Sequence, residues 1–292
     1  MKPADFDYSR AGSIAEAVAL LAAAGGEGKI IAGGQSLVPL MAMRLARPAL
    51  LVDIAGIAAL KGVRLEPDAI VIGAATTQSD ALEDSRIRAR LPLLAKALAH
   101  VGHVQTRNRG TIGGSLAHGD PSAEIALAAL ALGAALVLRG PAGERRVAAQ
   151  AFFLGPMMTA LDAAECLVEI RFPALAEASS GTGFQEVSIR RGDFALANAA
   201  CRIALAPDGR CADVALAVGG CGPVPLRLDA ATRGLLGQPL TEPAIERTAS
   251  GVRDHVTPDG DAHVSADYRR RLAAVLAARA MREAWQEAAG AR

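Results

Sequence analysis

Aromatic residues make up only 3% of this 292-residue chain: six Phe, two Tyr and one Trp. An aromatic in a polar loop therefore stands out, and Phe194, directly after Arg-Gly-Asp, is one. A charge imbalance is also missing. The formal net charge is +1, and no Lys/Arg stripe recurs with interleaved aromatics, which argues against a nucleic-acid partner. The four cysteines, Cys166, Cys201, Cys211 and Cys221, form no CxxC and no Cys/His cluster with zinc or iron–sulfur spacing. They read as reduced, buried thiols, and whatever redox chemistry occurs here needs no cluster held by this chain. Long apolar runs are absent too. The longest uncharged one, Ile125–Leu138, is broken by Gly133 and falls short of the roughly 18 residues that signal a membrane span. The opening MKPADFDYSR has no apolar core of a secretory signal. These absences lead us to expect a cytoplasmic protein with no membrane span.

What is present is an ordinary globular composition: 51% hydrophobic, much of it Ala, and 21% charged. The length suits about two domains. SIAEAVALLAAAG reads as a helix with Ser13 as N-cap and Glu16 completing a capping box, stopped by Gly25-Gly26. KIIA is a short strand running into Gly33-Gly34, and ALLVDIAGI gives another strand. GVRLEPDAIVIG predicts two strands about a Glu-Pro-Asp turn, followed by a helix capped near Thr77 or Ser79. Leu91–Gly102 is an amphipathic helix ending at glycine. TIGG is expected as a strand end and turn, and PSAEIALAALAL as a helix with Pro121 near its first turn and Asp120 as N-cap. A hairpin about Gly140–Gly143 and the strand CLVEIRFP follow. ALAEASSGTG is the best linker candidate. Beyond it an α+β unit ends in the helix Tyr268–Glu287, whose charged face points to a cover over that unit.

Two stretches carry chemistry. In AGGQS (Ala32–Ser36) and TIGGS (Thr111–Ser115) a strand end, two glycines and a hydroxyl residue recur. Glycine accepts positive φ and lets a ligand approach the backbone. Successive N–H groups in such a turn form a nest that suits a diphosphate, and a following helix start adds positive character. A plain turn explains any single Gly-Gly equally well. Two with matching flanks favour a pair of jaws on one pyrophosphate. Neither is a GxGxxG or a GxxxxGK[ST].

IIAGGQSLVPLMAMRLARP and RNRGTIGGSLAHGDPSAE resemble the two flavin signatures of the FAD-binding medium subunits of molybdenum hydroxylases, the family of xanthine dehydrogenase and aerobic carbon monoxide dehydrogenase. The likeness extends to the opening FDYSRAGSIAEAVALL, to Phe152-Phe153 and to RRGDFALANAA. It implies an α+β chain: a two-subdomain FAD-binding fold of the vanillyl-alcohol-oxidase/p-cresol-methylhydroxylase type over residues 1–175 (subdomains about 1–57 and 58–175), then a small α+β domain over 180–292. It implies that Ile31, Ala32, Gly33, Gly34, Gln35, Ser36 and Leu37, with Thr111, Ile112, Gly113, Gly114 and Ser115, wrap the FAD diphosphate and ribityl chain. Glu124 matches an acidic position near the cofactor, Leu167 an apolar residue beside the flavin, and Phe194 a residue over the isoalloxazine ring, where stacking area is wanted. Two positions depart from some relatives. Gln185 replaces a Lys and should give less electrostatic help to a reduced flavin. Val101 replaces an aromatic near the adenine.

The resemblance further implies a heterotrimer, assembled as a dimer of heterotrimers. A small partner subunit would carry two [2Fe-2S] clusters and a large one molybdopterin. This chain would take electrons from the clusters onto FAD and pass them to an external acceptor. A stand-alone flavin oxidase of the vanillyl-alcohol-oxidase type is the alternative, weakened by the short chain left after Pro173. A scaffold that has lost its flavin is opposed by the intact glycines. Other residues read more plainly. His100 and His103, i and i+3 near a helix end, have no third metal ligand in view and suit helix-end hydrogen bonds. His118 supports its loop. Arg107 and Arg109 either order the loop or touch phosphate. Arg190, Arg191 and Asp193 either form an ion pair at the domain junction, the favoured reading, or shape the edge of the flavin pocket. No Ser-His-Asp set and no paired carboxylates are in view, which fits a chain whose cofactor carries the reaction.

Overall fold

A hydroxyl starts the first helix. Ser13 Oγ accepts the Glu16 N–H at 3.1 Å, and Glu16 Oε2 accepts the Gly12 N–H at 2.8 Å. This is the expected capping box with its return bond one residue earlier. The computed structural model describes residues 2–174 and 179–291. Strand β1 (Asp7–Arg10), helix α1 (Ile14–Ala23), β2 (Gly28–Ile31), α2 (Leu37–Ala42) and β3 (Leu50–Asp53) form the first unit. Its sheet is parallel in the order β1-β3-β2. Because β3 inserts between the first two strands, both crossovers place their ends at one edge, where the loop after β2 meets the end of β3.

The second unit begins with β4 (Val63–Leu65) and β5 (Ala69–Gly73), the expected hairpin about Glu66-Pro67-Asp68. Helices α3 (Gln78–Glu83), α4 (Ser85–Arg90), α5 (Pro92–His100), α6 (Val104–Arg107), α7 (Ile112–His118) and α8 (Glu124–Ala131) follow. Then come β6 (Ala135–Gly140), β7 (Gly143–Ala148), α9 (Ala149–Phe152), the small hairpin β8 (Phe153–Gly155) and β9 (Met158–Thr159), and β10 (Cys166–Pro173). Strand β10 returns to the middle of an antiparallel sheet ordered β4-β5-β10-β6-β7. Every residue of β5 is buried, as is nearly all of α8. Leu93, Leu94, Leu98, Ile125, Leu127 and Phe172 meet there in the largest core cluster, burial of the kind that drives the fold.

Two expectations need correction here. TIGG is no turn: Gly113 and Gly114 lie inside α7, whose N-cap is Thr111. The PSAE helix starts later than expected. Its first residue is Glu124 and its N-cap Ala123, while Asp120 Oδ1 accepts the Ser122 N–H at 2.7 Å in a turn. The delay has a tertiary cause. The carbonyls of Pro121 and Ser122 accept from Gly220 N (3.0 Å) and Asn198 Nδ2 (2.9 Å) in the C-terminal domain.

That domain is an antiparallel sheet of β11 (Ser180–Ser188), β12 (Ala195–Leu205), β13 (Cys211–Gly219) and β14 (Leu226–Arg227), with α10 (Asp229–Thr232), α11 (Glu242–Gly251) and the long α12 (Ala266–Gly290). The linker candidate is shorter than expected, since Ser180–Gly183 already belongs to β11; its residues 175–178 lie outside the described residues. Helix α12 lies against β11 and β12. Gly181 and Gly183 permit this, because a Cβ on either would collide with the carbonyls of Ala284 and Ala280. Small residues on both partners thus set a short helix–sheet distance, which accounts for part of the chain's alanine content. All four cysteines are free and buried, as read from their spacing.

Candidate functional site

Strand β2 ends at Ile31, and the loop to α2 turns on Gly34, whose φ of 71° lies in the left-handed region. Gly33 is constrained differently. A Cβ there would overlap the Arg109 carbonyl oxygen and crowd Gly110. The two sequence motifs therefore touch, with the backbone of the first loop resting on Arg109-Gly110. That support is itself braced. The Gly110 N–H donates to Thr106 O at 2.7 Å, and Gly110 O accepts from Gln78 N at 2.8 Å. Arg107 Nη1 donates to Val101 O at 2.8 Å and Gly102 O at 3.2 Å, so of the two roles read for Arg107 it orders the loop.

A cavity of about 460 Å³ opens beside this contact, within the range of cofactor sites. Ile31, Ala32, Gly33, Gly34 and Gln35 line it together with Arg109, and Tyr8, Val38, Pro39, Asp53 and Ala55 complete it. The N–H groups of Gly33, Gly34, Gln35 and Ser36 have no acceptor among the described residues. The Gln35 side chain folds back onto Gly33 O at 3.2 Å. Ser36 sits at the N-cap of α2 and its hydroxyl makes no cap bond; Leu37 begins that helix. The first motif thus presents unused donors to a cavity, as a diphosphate nest requires.

The second motif does not. Ile112 N–H donates to Thr76 O at 3.0 Å, Gly113 to Ala74 O at 2.9 Å and Ser115 to Thr111 O at 3.1 Å, while Gly114 donates to Thr111 Oγ1 at 3.0 Å. These glycines serve packing: a Cβ on Gly113 would run into Ala74 at the end of β5. Thr111, Ile112 and Gly113 are buried, and of this motif Gly114 and Ser115 reach the surface.

Tyr8, Asp53, Ala55, Val38 and Pro39 are cavity residues that sequence motifs alone did not single out. Tyr8 OH donates to Asp53 Oδ2, and Ala55 N–H donates to Oδ1 at 2.7 Å; the carboxylate in turn raises the Tyr8 hydroxyl pKa. The available signal was weak. Tyr8 is one of two tyrosines, and Asp53 ends a hydrophobic strand.

The other candidate residues do not line this cavity. Val101 is buried at the end of α5. Leu167 is buried in β10 at a bulge, opposite Leu138. Gln185 Nε2 donates to Glu283 Oε2 at 2.8 Å across to α12. Phe194 is 71% exposed and follows the turn in which Arg190 pairs with Asp193 at 3.0 Å, the ion pair expected from sequence. Glu124 lies where the two domains meet. Burial, then the nearby Glu186 carboxylate, push its pKa up to about 7. His100 packs its ring, tilted by 48°, against Phe184 with centroids 5.1 Å apart, and its pKa is raised, chiefly by the Glu186 carboxylate 3.8 Å from its Nδ1. Among the described residues no His/Cys/Asp/Glu group could hold a metal, and no helix is long and apolar enough to cross a membrane.

Comparison with known proteins bears directly on this cavity. Residues 4–175 match the family model described as the FAD binding domain in molybdopterin dehydrogenase, and residues 182–284 match the CO dehydrogenase flavoprotein C-terminal domain. The carbon monoxide dehydrogenase medium chain of Hydrogenophaga pseudoflava is 38% identical over 99% of this chain and 100% of its own. The xanthine dehydrogenase FAD-binding subunit of Escherichia coli O157:H7 is 30% identical over 97% of each. A solved structure of quinoline 2-oxidoreductase from Pseudomonas putida 86 superposes with a TM-score of 0.93 at 35% identity, over 99% of both chains. The chain belongs to the family of FAD-binding medium subunits of molybdopterin dehydrogenases, and is a subunit of an oxidoreductase.

Proposed function

We propose that this chain holds FAD as the electron-transfer subunit of a heterotrimeric molybdenum hydroxylase, within the fold of the vanillyl-alcohol-oxidase type. Residues 1–175 would form the FAD-binding part, with subdomains about 1–57 and 58–175, and residues 180–292 the second domain. FAD, when bound, would supply the carrier that receives electrons from the [2Fe-2S] clusters of a small partner and hands them to an external acceptor; the large partner would hold molybdopterin, where the electrons originate.

One observation carries the reading: a ligand-sized cavity lined by Gly33, Gly34 and Gln35, whose amides, with that of the adjoining Ser36, have no acceptor among the described residues. Backbone donors at a glycine turn fit a diphosphate better than they fit an apolar substrate. No Ser-His-Asp set or nucleophile faces the cavity, which suits a chain that positions a cofactor. Arg109-Gly110 support the loop, and Thr111–Ser115 just beyond them offer Gly114 and the Ser115 hydroxyl at the surface. Leu167 and Val101 give apolar backing. Glu124, Gln185 and the exposed ring of Phe194 are assigned to the flavin end, where Phe194 excludes water. The complex is assigned to the cytoplasm as a dimer of heterotrimers.

Co-expression with the neighbouring subunits tests this. The expected product is a three-subunit complex with flavin absorbance that is bleached by the substrate of the large subunit. A preparation that lacks FAD and binds no iron–sulfur subunit would sink the proposal, and turnover of a small alcohol by the isolated chain would replace it with a free-standing oxidase.

A further inference from the structure

Where the two domains meet, ionisable side chains from separate parts of the chain face one another. Glu124 opens α8, His100 ends α5 and Glu186 lies on β11. Asp120, in the turn before α8, acts on Glu124, and Arg191, in the turn after β11, acts on His100. Glu186 is the most enclosed. Its side chain is 5% exposed, its Oε1 lies 3.8 Å from His100 Nδ1, and its Oε2 is buried with no partner among the described residues. Neighbouring charges are already committed: Lys96, one turn back on α5, pairs with Glu283 and Glu287, and Arg190 pairs with Asp193. The balance of the cluster therefore depends on two protons. With one on Glu124 and one on His100, the cations His100 and Arg191 match the anions Glu186 and Asp120. Without them, Arg191 alone faces three carboxylates. The same stretch holds the domains together. The His100 ring packs against Phe184, His103 lies against Gly192 in the turn that bears Arg191, and the carbonyls of Pro121 and Ser122 accept from Gly220 and Asn198.

We infer that this junction is a proton-operated latch: with Glu124 and His100 protonated the contact of α5, α8 and β11 is closed, and loss of those protons opens it locally, freeing the start of α8 and the end of β11 while the rest of each domain stays folded. The direction follows from the charges. Ionising Glu124 sets a further carboxylate beside the enclosed Glu186, and neutralising His100 removes the cation nearest to it. Like charges with little water to screen them repel. Burial, then the Glu186 charge, push the Glu124 pKa up to about 7. The proton is thus held more tightly in the closed junction than in the open one, and the closed form weakens as pH rises through that value. His100, also raised, works in the same direction. The latch uses only residues of this chain and stands apart from the cofactor reading above.

The test is amide hydrogen exchange of the full chain at pH 6, 7 and 8, read as protection factors after correction for the intrinsic rate at each pH. Residues 120–125 and 184–188 should lose about tenfold in protection between pH 6 and 8, the loss expected when opening returns a carboxyl of pKa about 7 to its ordinary value. At pH 8 they should also exchange faster than the slowest amides of either domain, the mark of local opening. Glu124→Gln, neutral at every pH, should keep at pH 8 most of the protection seen at pH 6. Glu186→Gln removes the facing charge and should flatten the profile likewise. Wild-type protection at the junction that stays constant or rises from pH 6 to 8 overturns the latch. So do junction amides that exchange together with the slowest ones at every pH, and a Glu124→Gln profile that falls as the wild type does. If Glu124→Gln fails to fold, the wild-type and Glu186→Gln profiles decide by the same criteria.

Discussion

At the scale of single residues, the absence of a side chain at Gly33 determines how the loop seats. Any Cβ there meets the carbonyl of Arg109, and that carbonyl is braced by the α6 turn and cannot yield cheaply. Gly33→Ala should therefore push the loop off Arg109. Overpacking of this kind costs about 1–3 kcal/mol, and because it falls on the binding loop, FAD binding should weaken by about 10- to 100-fold; fluorescence titration against the wild type would check this. Glu124 makes the opposite case, a charge where charge is disfavoured. Its folded pKa of about 7 lies above the ordinary carboxylate value of 4.5, so the folded protein binds the extra proton. Stability is then fully present below about pH 4.5 and declines as pH rises towards 7. His100, also raised, adds to the same trend, since its charged form is favoured in the fold and lost at higher pH. The Glu124 contribution amounts to about 3 kcal/mol. Glu124→Gln should flatten the decline, which urea midpoints taken between pH 5 and 8 would measure; a wild-type profile that rises with pH would contradict the account.

At the scale of elements, what was legible in the sequence depended on whether the cause was local. Ser13, Thr77 and the Glu66-Pro67-Asp68 turn act on their neighbours in the chain, and each stands where its residues point. The first Gly-Gly was legible for the same reason, because positive φ at Gly34 is a local demand. The second was misread because glycine is a poor helix former, and its reason for being in α7 lies across the core at Ala74. The start of α8 was misplaced because Gly220 and Asn198, far along the chain, hold the carbonyls of Pro121 and Ser122. The Tyr8–Asp53 pair was invisible until parallel pairing of β1 with β3 brought those strands together. Helix α12 offers a test of the same kind. Its approach to β11 needs glycine at 183, so Gly183→Val should cost about 1–3 kcal/mol and lower the urea midpoint without changing m. An unaltered midpoint would show that the helix can lift from the sheet freely.

At the scale of the whole molecule, one lysine links the two domains. Lys96 on α5 donates to Thr182 O at 2.6 Å, Glu283 Oε1 at 2.7 Å and Glu287 Oε2 at 2.8 Å, so its three ammonium donors meet β11 and α12 at once. Glu287 also accepts the Thr182 N–H at 3.0 Å, which ties the carboxylate to the strand it serves. One turn further along α5, His100 packs its ring against Phe184 of the same strand. The junction thus combines ionic, aromatic and backbone contacts along a single helix face, and Glu124 and the turn at Asp120–Ser122 lie beside it. These groups are part-exposed, so water limits what each ion pair contributes; replacing Lys96 still leaves two carboxylates facing each other. Lys96→Met keeps the apolar stem and removes the charge, and should cost about 1–2 kcal/mol. The loss should fall on the junction and spare both cores. Amide hydrogen exchange is expected to rise in β11 and the second half of α12, with α1 and the β1-β3-β2 sheet unchanged. Uniform acceleration across the chain would instead mean that the two domains unfold as one unit and that the loss of Lys96 is not confined to the junction.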